Sequence, residues 1–290
     1  MSKTTAEISA QGYYEETAPV QRSSTRYAVT NCLVSELTDH ADTVIITNPD
    51  YGRMLFLDKE LQSATYDERI YHETLVHPAL NALNRNVNTS GLNVLVIGGA
   101  EGATVREVLK WSDKIAHIDW VDIDAKLVAV CREHLMYAGP EVYTNKNVNF
   151  YAEDIMVFLE KCDQPTYDCI IIDLPDPDPS AYGPLYGPKF WLLVKNSLRQ
   201  YGIVCSHVGP VEPGIGRQPG LNMVVSGAAS VGLKGMAYHT LIPSFQSEWG
   251  FWMSAYCEPC LRLPPSCAVM NTQYQTTIFH WDKHWNLSTT

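Results

Sequence analysis

Acidic side chains that follow apolar segments are the strongest chemical signal in this sequence. Glu101, Asp122 and Asp173 each come directly after an apolar run that predicts a buried strand, or within the turn that ends it. Because the carboxyl ends of parallel strands form one edge of a sheet, where ligands bind, these side chains are expected to share a site. An edge rich in carboxylates and poor in lysine and arginine would repel a phosphate and attract a cationic nucleoside or an amine.

Further polar residues are expected at the same edge: Asp124, Glu153, Asp154, Asp176, Asp178, Ser206 and His207. Asp173 opens a segment with three aspartates and two prolines in six residues, up to Asp178. A stiff loop of this kind can preorganise a site. The structural alternative for Asp173 is a helix N-cap or a turn aspartate.

A glycine-rich turn lies between the first strand of this region and its helix. Gly98, Gly99 and Gly102 are followed by apolar residues at helical spacing, which is typical of a nucleotide-binding βα unit. A glycine turn alone is often only a tight corner. Asp122 ends the next strand, where an acid would bind the two ribose hydroxyls, so the combination predicts a nucleoside ligand.

Strands and helices are predicted to alternate in the region that carries these residues. The strands are Asn93–Ile97, His117–Val121, Val148–Tyr151, Asp168–Ile172 and Gly202–Ser206, and the helices are Thr104–Trp111, Ala125–Leu135, Ile155–Lys161 and Lys189–Leu198. Two further segments, Gly235–Leu241 and Trp249–Tyr256, predict an antiparallel hairpin that closes the sheet. The pattern predicts an α/β fold with a mainly parallel sheet and helices on both faces.

The N-terminal part has a β pattern of its own. Residues 1–25 are polar and are expected to be loosely held. Strand-like runs at 27–34, 43–47 and 53–57 predict a small antiparallel sheet, and 66–83 predicts a helix. We therefore divide the chain into an N-terminal β-strand domain, 1–64, and a Rossmann-like domain, 65–290.

Composition limits the possible classes. The chain has 290 residues, 46% hydrophobic and 18% charged, as in a globular protein, and a net charge of −11 that argues against general nucleic-acid binding. No run is long enough to span a bilayer and no secretory signal is evident, so a cytoplasmic protein without membrane contact is expected. Cys257 and Cys260 form a lone CxxC without a second pair, so no metal is expected.

Several motifs occur in an order that is specific to one family. The pattern "LDG-x-x-Q … DE-x-x-YHE" is similar to Met54–Asp58 with Leu61–Gln62 and Asp67–Glu73. The pattern "GGGDG … RE" is similar to Gly98–Gly102 with Arg106–Glu107. Two shorter patterns, "E-I-D" and "D-x-x-DP", are similar to Val121–Asp124 and Asp173–Pro177. These are motifs of the polyamine aminopropyltransferases, the spermidine and spermine synthases, which the chain resembles over nearly its whole length. Glu101, Asp173–Pro177, Gly209–Pro210 and Pro243–Gly250 resemble most closely the thermospermine-synthase branch.

The resemblance implies a class I methyltransferase-like, Rossmann-like domain, decarboxylated S-adenosylmethionine as donor, a di- or polyamine as acceptor, and a homodimer. It implies that Asp122 holds the ribose hydroxyls and Asp154 the adenine amino group. The remaining implied cofactor residues are Gln62, Gly98, Gly99, Glu101, Gly102, Ile123, Glu153, Ile155 and Leu174. Asp173 would be the acid/base, with Tyr71 and Asp176 also catalytic, and the implied amine-binding residues are His72, Glu101, Asp173, Asp176, Tyr186, His207, Phe245 and Trp249.

Departures from the family pattern leave alternatives open. Ala100 replaces the third glycine, His207 stands where glutamine is usual, Pro175 stiffens the loop after Asp173, and 209–220 is rich in proline and glycine. One alternative is an amine N-methyltransferase that uses S-adenosylmethionine on the same scaffold. Another is a catalytically silent relative that binds a nucleoside or polyamine as a regulatory subunit.

Overall fold

Antiparallel strands form the N-terminal part of the computed structural model, which describes residues 8–18, 23–83, 90–177, 185–213, 218–255 and 267–281. The first two strands, β1 (Tyr13–Ala18) and β2 (Ser23–Ala28), form an N-terminal hairpin. A four-stranded sheet follows, in the order β3 (Asn31–Leu37), β4 (Asp42–Asn48), β5 (Gly52–Leu57) and β6 (Glu60–Ala64).

Two predictions for this part were wrong. Residues 1–25 contain β1 and the start of β2 and are not loosely held over 13–18, and the single strand predicted at 27–34 is divided between β2 and β3. The alternating pattern of a strand is weak in this hairpin, because its outer face is polar and its inner face packs through two tyrosines. Tyr14 and Tyr27 pack on Phe56, with ring centroids 4.7 Å and 5.6 Å away.

The hairpin also contacts the second half of the chain. The Tyr27 hydroxyl lies 2.9 Å from the Glu16 carboxylate and 3.1 Å from the Ser244 carbonyl. Asp67 accepts hydrogen bonds from the backbone N–H (2.6 Å) and the hydroxyl (2.9 Å) of the same Ser244. The short 3-10 helix Pro243–Phe245 is therefore held from two sides.

A seven-stranded sheet forms the centre of the larger part. Its strands are β7 (Leu92–Gly98), β8 (Ile115–Asp122), β9 (Val148–Ala152), β10 (Tyr167–Asp173), β11 (Leu198–Pro210), β12 (Met236–Ile242) and β13 (Ser247–Met253), in the order β12-β13-β11-β10-β7-β8-β9. Strands β7 to β11 are parallel to one another, whereas β13 is antiparallel to both β11 and β12. The predicted Rossmann-like α/β fold with its closing hairpin is confirmed.

Helices cover both faces of this sheet. They are α1 (Glu68–Leu83), α2 (Ala103–Leu109), α3 (Ala125–His134), α4 (Pro140–Thr144), α5 (Ile155–Glu160), α6 (Pro188–Ser197), α7 (Pro219–Ser230) and α8 (Thr272–Thr277). Along β7, Val94 and Val96 pack in one apolar cluster, and Leu95 and Ile97 pack in the other. Within the described residues, no helix combines the length and apolar character needed to cross a membrane.

The sequence did not predict α7, which begins at Pro219. Gly220 and Gly227 lower its helix propensity, although Gly227 is needed for close packing against α6. A Cβ on Gly227 would lie 2.2 Å from the indole nitrogen of Trp191. Helix α7 also places the end of the proline- and glycine-rich segment 209–220, whose residues 214–217 lie outside the described part of the chain, as do Asp178, Cys257 and Cys260.

The order in which strands are added to the sheet reverses between the parallel neighbours β7 and β10. The connections from β7 lead to β8 and β9 on one side, whereas β10 and β11 lie on the other side, so a crevice opens where β7 and β10 end. Asp173 pairs with Gly98 at this point. The switch point therefore places the predicted acid/base beside the glycine turn.

Gly98 permits this contact. It has φ +80°, and a Cβ there would lie 2.2 Å from the Asp173 carbonyl oxygen. The Gly99 N–H donates to the same carbonyl at 2.9 Å. The close approach of the two chain segments therefore requires glycine.

We expect Gly98→Ala to destabilise the protein by about 3 kcal/mol or more, since it adds a backbone clash to the left-handed strain of about 1–2 kcal/mol. Gly91→Ala is the matched control, because Gly91 has φ +81° and open space around its Cβ position. Urea unfolding of both variants is the measurement. Equal losses would contradict the role given to the close approach.

Candidate active site

Three elements meet at the Asp173 carboxylate. Asp173 ends β10, and its Oδ1 accepts a hydrogen bond from the Tyr71 hydroxyl of α1 at 2.8 Å. Its Oδ2 accepts from the Thr104 hydroxyl in the first turn of α2 at 2.5 Å. Both oxygens are thereby fixed in position at the switch point. Within the described residues Asp173 caps no helix, so the structural alternative is not supported.

Tyr71 lies among aromatic rings. The ring centroids of His72, Phe251 and His207 are 5.0 Å, 5.6 Å and 5.9 Å from its own. Burial raises the pKa of the Tyr71 hydroxyl well above its ordinary value, and the charge of Asp173 raises it further. Tyr71 therefore stays a phenol that donates to Asp173.

Other carboxylates lie around the same crevice, and two of them have a raised pKa. Burial raises the pKa of Asp122 to about 7, and the charges of Asp124, Glu101 and Asp173 act in the same direction against a backbone hydrogen bond from Asp124. Burial also raises the pKa of Glu101. The charge of His72 lowers that pKa, and the charge of Asp173 raises it. A cation that entered this crevice would relieve the repulsion.

The residues predicted to hold a nucleoside occupy the ends of β8 and β9. Asp122 ends β8, and its Oδ1 accepts from the Asp124 N–H at 2.9 Å. Asp124 caps α3 by accepting from Leu127 at 2.9 Å. Asp154 caps α5 by accepting from Met156 at 2.7 Å.

The other predicted cofactor residues differ in their exposure. Ile123 is 47% exposed and Ile155 is buried, while the Glu153 N–H donates to the Asp122 carbonyl at 3.2 Å. Gln62 lies on β6 in the N-terminal part, and its side chain donates to the Glu60 carbonyl at 3.1 Å. The role of Gln62 in holding a nucleoside therefore stays a prediction.

Leu174, Asp176 and His207 come together on the other side of Asp173. His207 Nε2 is within hydrogen-bond distance of the Leu174 carbonyl, and Nδ1 lies 3.7 Å from the Asp176 carboxylate. Trp249 stacks on the His207 ring at 13° and 6.3 Å, and Phe245 lies 4.5 Å from Trp249, measured between ring centroids. These rings form an aromatic wall that continues to Tyr71.

Two predicted amine-binding residues make hydrogen bonds to backbone carbonyls, and their role towards an amine stays a prediction. The buried Tyr186 directs its hydroxyl to the Pro175 carbonyl at 3.1 Å, so it supports the loop from behind. His72 is also buried, with Nδ1 2.6 Å from the Glu68 carbonyl. Burial alone would lower the pKa of His72. The hydrogen bond to Glu68 and the negative charge of Glu68 have the larger effect, so the pKa of His72 is raised.

Sequence reasoning missed Thr104 as a partner of Asp173. The only signal was a hydroxyl in the first turn after the glycines, since the hydrogen bond joins residues that are distant in the sequence. Sequence reasoning also assigned no role to Glu68, Arg106 and Glu107, which belong to the motifs. Arg106 donates to Glu68 at 3.0 Å and 2.8 Å and to Glu107 at 2.8 Å, which ties α1 to α2 beneath the site.

One group of residues has the types that bind metals. Ligand atoms of Glu73, His77 and Cys267 lie within 4.8 Å of one another. Each has another role: Glu73 accepts from three backbone N–H groups at 268–270, and His77 lies between Trp111 (3.1 Å) and Glu107 (3.0 Å). Burial raises the pKa of the Cys267 thiol to about 12. The group fits a packed junction better than a metal site, and the expectation of no metal stays a prediction.

The chain matches two known domain families. Residues 68–262 match the spermine/spermidine synthase domain, and residues 12–65 match the spermidine synthase tetramerisation domain. The chain belongs to the spermidine synthase family. This confirms the resemblance of the motifs, whereas the thermospermine branch stays a prediction.

Curated relatives of this family member carry the name polyamine aminopropyltransferase. One from Synechococcus sp. (strain JA-2-3B'a(2-13)) is 38% identical over 193 residues, which cover 65% of this chain and 60% of the relative. Polyamine aminopropyltransferase 2 of Pseudomonas aeruginosa PAO1 is 34% identical over 79% of this chain and 63% of the relative. The chain thus spans somewhat less than two thirds of the length of these relatives.

Solved structures of the family have the same fold. A spermidine synthase in complex with the transition state analogue AdoDATO has a TM-score of 0.81 at 19% identity, over 96% of this chain and 95% of that one. Spermidine synthase from Thermotoga maritima has a TM-score of 0.78 at 18% identity, over 96% and 94%. The likeness confirms the architecture.

The raised pKa of Asp122 predicts that this residue makes the folded protein less stable at high pH than at low pH. It is about 7 in the folded protein against an ordinary value of 3.8, so the folded state binds the proton more tightly and loses stability as the pH rises through 7. Asp122→Asn removes this loss and should be more stable than wild type at pH 8 by about 1–3 kcal/mol, with little gain at pH 4, after allowance for partial exposure. Urea unfolding at both pH values measures it.

Glu68→Gln is the control of opposite sign. Burial would raise the pKa of Glu68, but His72 and Arg106 lower it to about 2 from 4.5, so its stabilisation is present above pH 4.5 and is lost as the pH falls towards 2. This variant should lose stability at pH 8 and less at pH 3. A gain for Asp122→Asn that does not grow with pH would contradict the prediction.

Proposed function

We propose that the protein transfers an aminopropyl group from decarboxylated S-adenosylmethionine to a di- or polyamine. The observation that carries the proposal is the Asp173 carboxylate, held by Tyr71 and Thr104 at the switch point of a crevice lined by acids. Both proposed reactants are cations, and both would relieve the repulsion that raises the pKa of Asp122 and Glu101. Membership of the family supports the same reaction.

The reaction is a displacement at the carbon next to a sulfonium. The lone pair of the amine nitrogen forms the new N–C bond, and the C–S bond breaks with its electrons moving to sulfur. The leaving group is the neutral thioether methylthioadenosine, so it requires no acid. The proton that the amine must lose goes to Asp173, whose orientation is set by Tyr71 and Thr104.

Deprotonation of the amine is the main chemical difficulty. An alkylammonium has a pKa near that of lysine, about 10.4, so a neutral amine at pH 7 costs roughly 4 kcal/mol. A carboxylate held next to the ammonium accepts the proton and orients the lone pair towards the reacting carbon. Tyr71 stays protonated because its pKa is raised, so it holds the base and does not replace it.

Glu101 bears on the choice of donor. Ordinary S-adenosylmethionine carries a carboxylate where the decarboxylated form carries hydrogen. Glu101 lies in the glycine turn, where nearby Asp173 already raises its pKa. A second carboxylate there would add repulsion, whereas the ammonium of an aminopropyl chain would be attracted.

The binding roles of the remaining residues belong to this proposal. Asp122 and Asp154, with Gln62 from the N-terminal part, hold the nucleoside. Asp176, His207 and the aromatic wall of Tyr71, Phe245 and Trp249 hold the amine, whose aliphatic stem suits apolar rings. The family resemblance favours a thermospermine-synthase-like acceptor, which the Pro243–Gly250 segment of this wall supports.

Four expectations stay predictions beside this proposal. They are the division into 1–64 and 65–290, the homodimer, the cytoplasmic location and the absence of a metal. The match of 12–65 to a tetramerisation domain makes a larger assembly the alternative to a dimer.

We expect methylthioadenosine and an amine enlarged by one aminopropyl unit when the protein is incubated with decarboxylated S-adenosylmethionine and putrescine, spermidine or spermine. Mass spectrometry identifies the products, and ordinary S-adenosylmethionine is the control donor. An amine enlarged by one methylene unit from that control would establish N-methylation and refute the proposal. No product from either donor would favour the catalytically silent relative.

Asp173→Asn should lower kcat by about 100- to 10,000-fold, because the amide cannot accept the proton of the amine. Asp168→Asn is the matched control, since Asp168 lies on the same strand but at its other end, where it pairs with Arg199 at 2.7 Å. Initial rates at saturating substrates compare the two. Full turnover by Asp173→Asn would remove Asp173 from the mechanism.

Thr104→Val should lower kcat about tenfold, since it removes one hydrogen bond that orients Asp173 while keeping the shape of the side chain. The KM of both substrates should change little, because Thr104 contacts the base. Thr276→Val, on α8, is the control, as the Thr276 hydroxyl donates to the Thr272 carbonyl of its own helix at 3.0 Å. Equal kcat values for the two variants would contradict the role of Thr104.

A further inference from the structure

The turn between β3 and β4 joins the N-terminal part of the chain to the beginning of α3. His40, which lies in this turn, donates its backbone N–H to Asp124 Oδ2 at 3.3 Å, across 84 residues of sequence. Lys126, in the first turn of α3, donates to the Leu37 carbonyl at 2.7 Å. One contact is at the start of the β3–β4 turn and the other is within it, so together they seat the turn on the N-terminal end of α3.

Hydrogen bonds of Thr38 give this turn a fixed shape. The backbone N–H and the hydroxyl of Thr38 donate to the Ala41 carbonyl at 2.9 Å and 3.0 Å, and the Ala41 N–H donates back to the Thr38 hydroxyl at 3.2 Å. Thr38 is buried, whereas His40 is exposed. The direction in which the His40 N–H points is therefore set by the buried threonine two residues before it.

Asp124 connects the turn to Asp122. It is 2% exposed, and each of its carboxylate oxygens accepts a backbone hydrogen bond: Oδ1 from Leu127 at 2.9 Å, and Oδ2 from His40. With both oxygens held, the Asp124 backbone has one orientation, and its N–H donates to Asp122 Oδ1 at 2.9 Å. A carboxylate that is held in place before its ligand arrives loses less conformational entropy on binding. The turn therefore acts on the acid that is proposed to bind the ribose hydroxyls.

We propose that the β3–β4 turn, residues 38–41, sets the affinity of the nucleoside site, with Thr38, Asp124 and Lys126 as positioning residues for Asp122. This inference rests on the proposed function and deepens it, since it gives a turn of the N-terminal part control over nucleoside binding. The turn does so without a contact to the nucleoside, through the chain of hydrogen bonds from His40 to Asp124 and from Asp124 to Asp122. Because a coupling between two sites is reciprocal, a bound nucleoside also stabilises the seated turn.

Thr38→Val tests the turn, because it keeps the shape of the side chain and removes the hydrogen bonds of its hydroxyl. We expect it to weaken the binding of methylthioadenosine about three- to tenfold at pH 8, as for one lost hydrogen bond, by isothermal titration calorimetry. Thr30→Val is the matched control, since the Thr30 hydroxyl donates to the Thr47 carbonyl at 3.0 Å near the other end of β4. In initial rates, Thr38→Val should raise the KM of the donor by the same factor and leave the KM of the amine within about twofold, a split that general loosening of the fold would not produce.

Asp124→Asn tests the seat of the turn. Its amide oxygen can still cap α3, but its NH2 group faces the His40 N–H and cannot accept from it. At pH 8 Asp122, with a pKa of about 7, is mainly ionised with or without the charge of Asp124. We expect the same weakening as for Thr38→Val, and the double variant should bind no more weakly than the weaker single variant, because both substitutions break one contact.

A measurement on the wild type requires no substitution. Hydrogen exchange of the His40 amide, followed by NMR of the ¹⁵N-labelled protein, reports how firmly the turn is seated. We expect saturating methylthioadenosine to slow this exchange by about the factor that Thr38→Val loses in affinity, about three- to tenfold. The Thr30 amide, which donates to the Thr47 carbonyl at 2.8 Å, is the internal control and should not change.

The outcomes separate this inference from the proposed function. Equal affinities of Thr38→Val and Thr30→Val for methylthioadenosine, losses that multiply in the double variant, or an unchanged exchange rate of His40 would each overturn the inference and leave the proposed function standing. The expected binding results without aminopropyl transfer to putrescine, spermidine or spermine would refute the proposed function and leave the role of the turn. A wild type that does not bind methylthioadenosine would overturn both.

Discussion

Mutual repulsion of carboxylates at one edge of the sheet is the constraint on which the rest of the structure depends. Burial raises the pKa of Glu101 and of Asp122, and the charge of nearby Asp173 raises both further. Such a group disperses unless the surrounding elements hold it. The parallel strands, the glycine turn and two hydroxyl donors provide this restraint, and the stored repulsion becomes affinity for a cation.

The restraint continues below the site. Arg106 joins Glu68 on α1 to Glu107 on α2, and all three side chains are buried. Buried ion pairs contribute little net stability but are costly to break, so they fix relative positions well. Because Tyr71 lies on α1 and Thr104 on α2, this pairing keeps the two donors at a constant spacing around Asp173.

Much of the architecture could be predicted from the sequence, since apolar runs and the acids after them show where parallel strands end. Asp122 and Asp173 were found this way, and the family motifs added Tyr71. What escaped prediction depends on contacts between distant segments. The hydroxyl of Thr104 reaches Asp173 only through the packing of α2 on the sheet, and Tyr186 turns behind its loop because the Pro175 carbonyl lies there. The β1–β2 hairpin escaped because its apolar face has too few residues to form a pattern.

The contact of Tyr27 with Ser244 has a consequence for how this molecule can diverge. Ser244 precedes Phe245 of the aromatic wall, so the N-terminal hairpin supports the proposed amine side of the crevice, while the proposed nucleoside side lies at the ends of β8 and β9. Substitutions at Tyr27 would reach the wall through its hydrogen bond to Ser244. Under the proposed function, substitutions that change this contact give lineages of the protein a route to new amines.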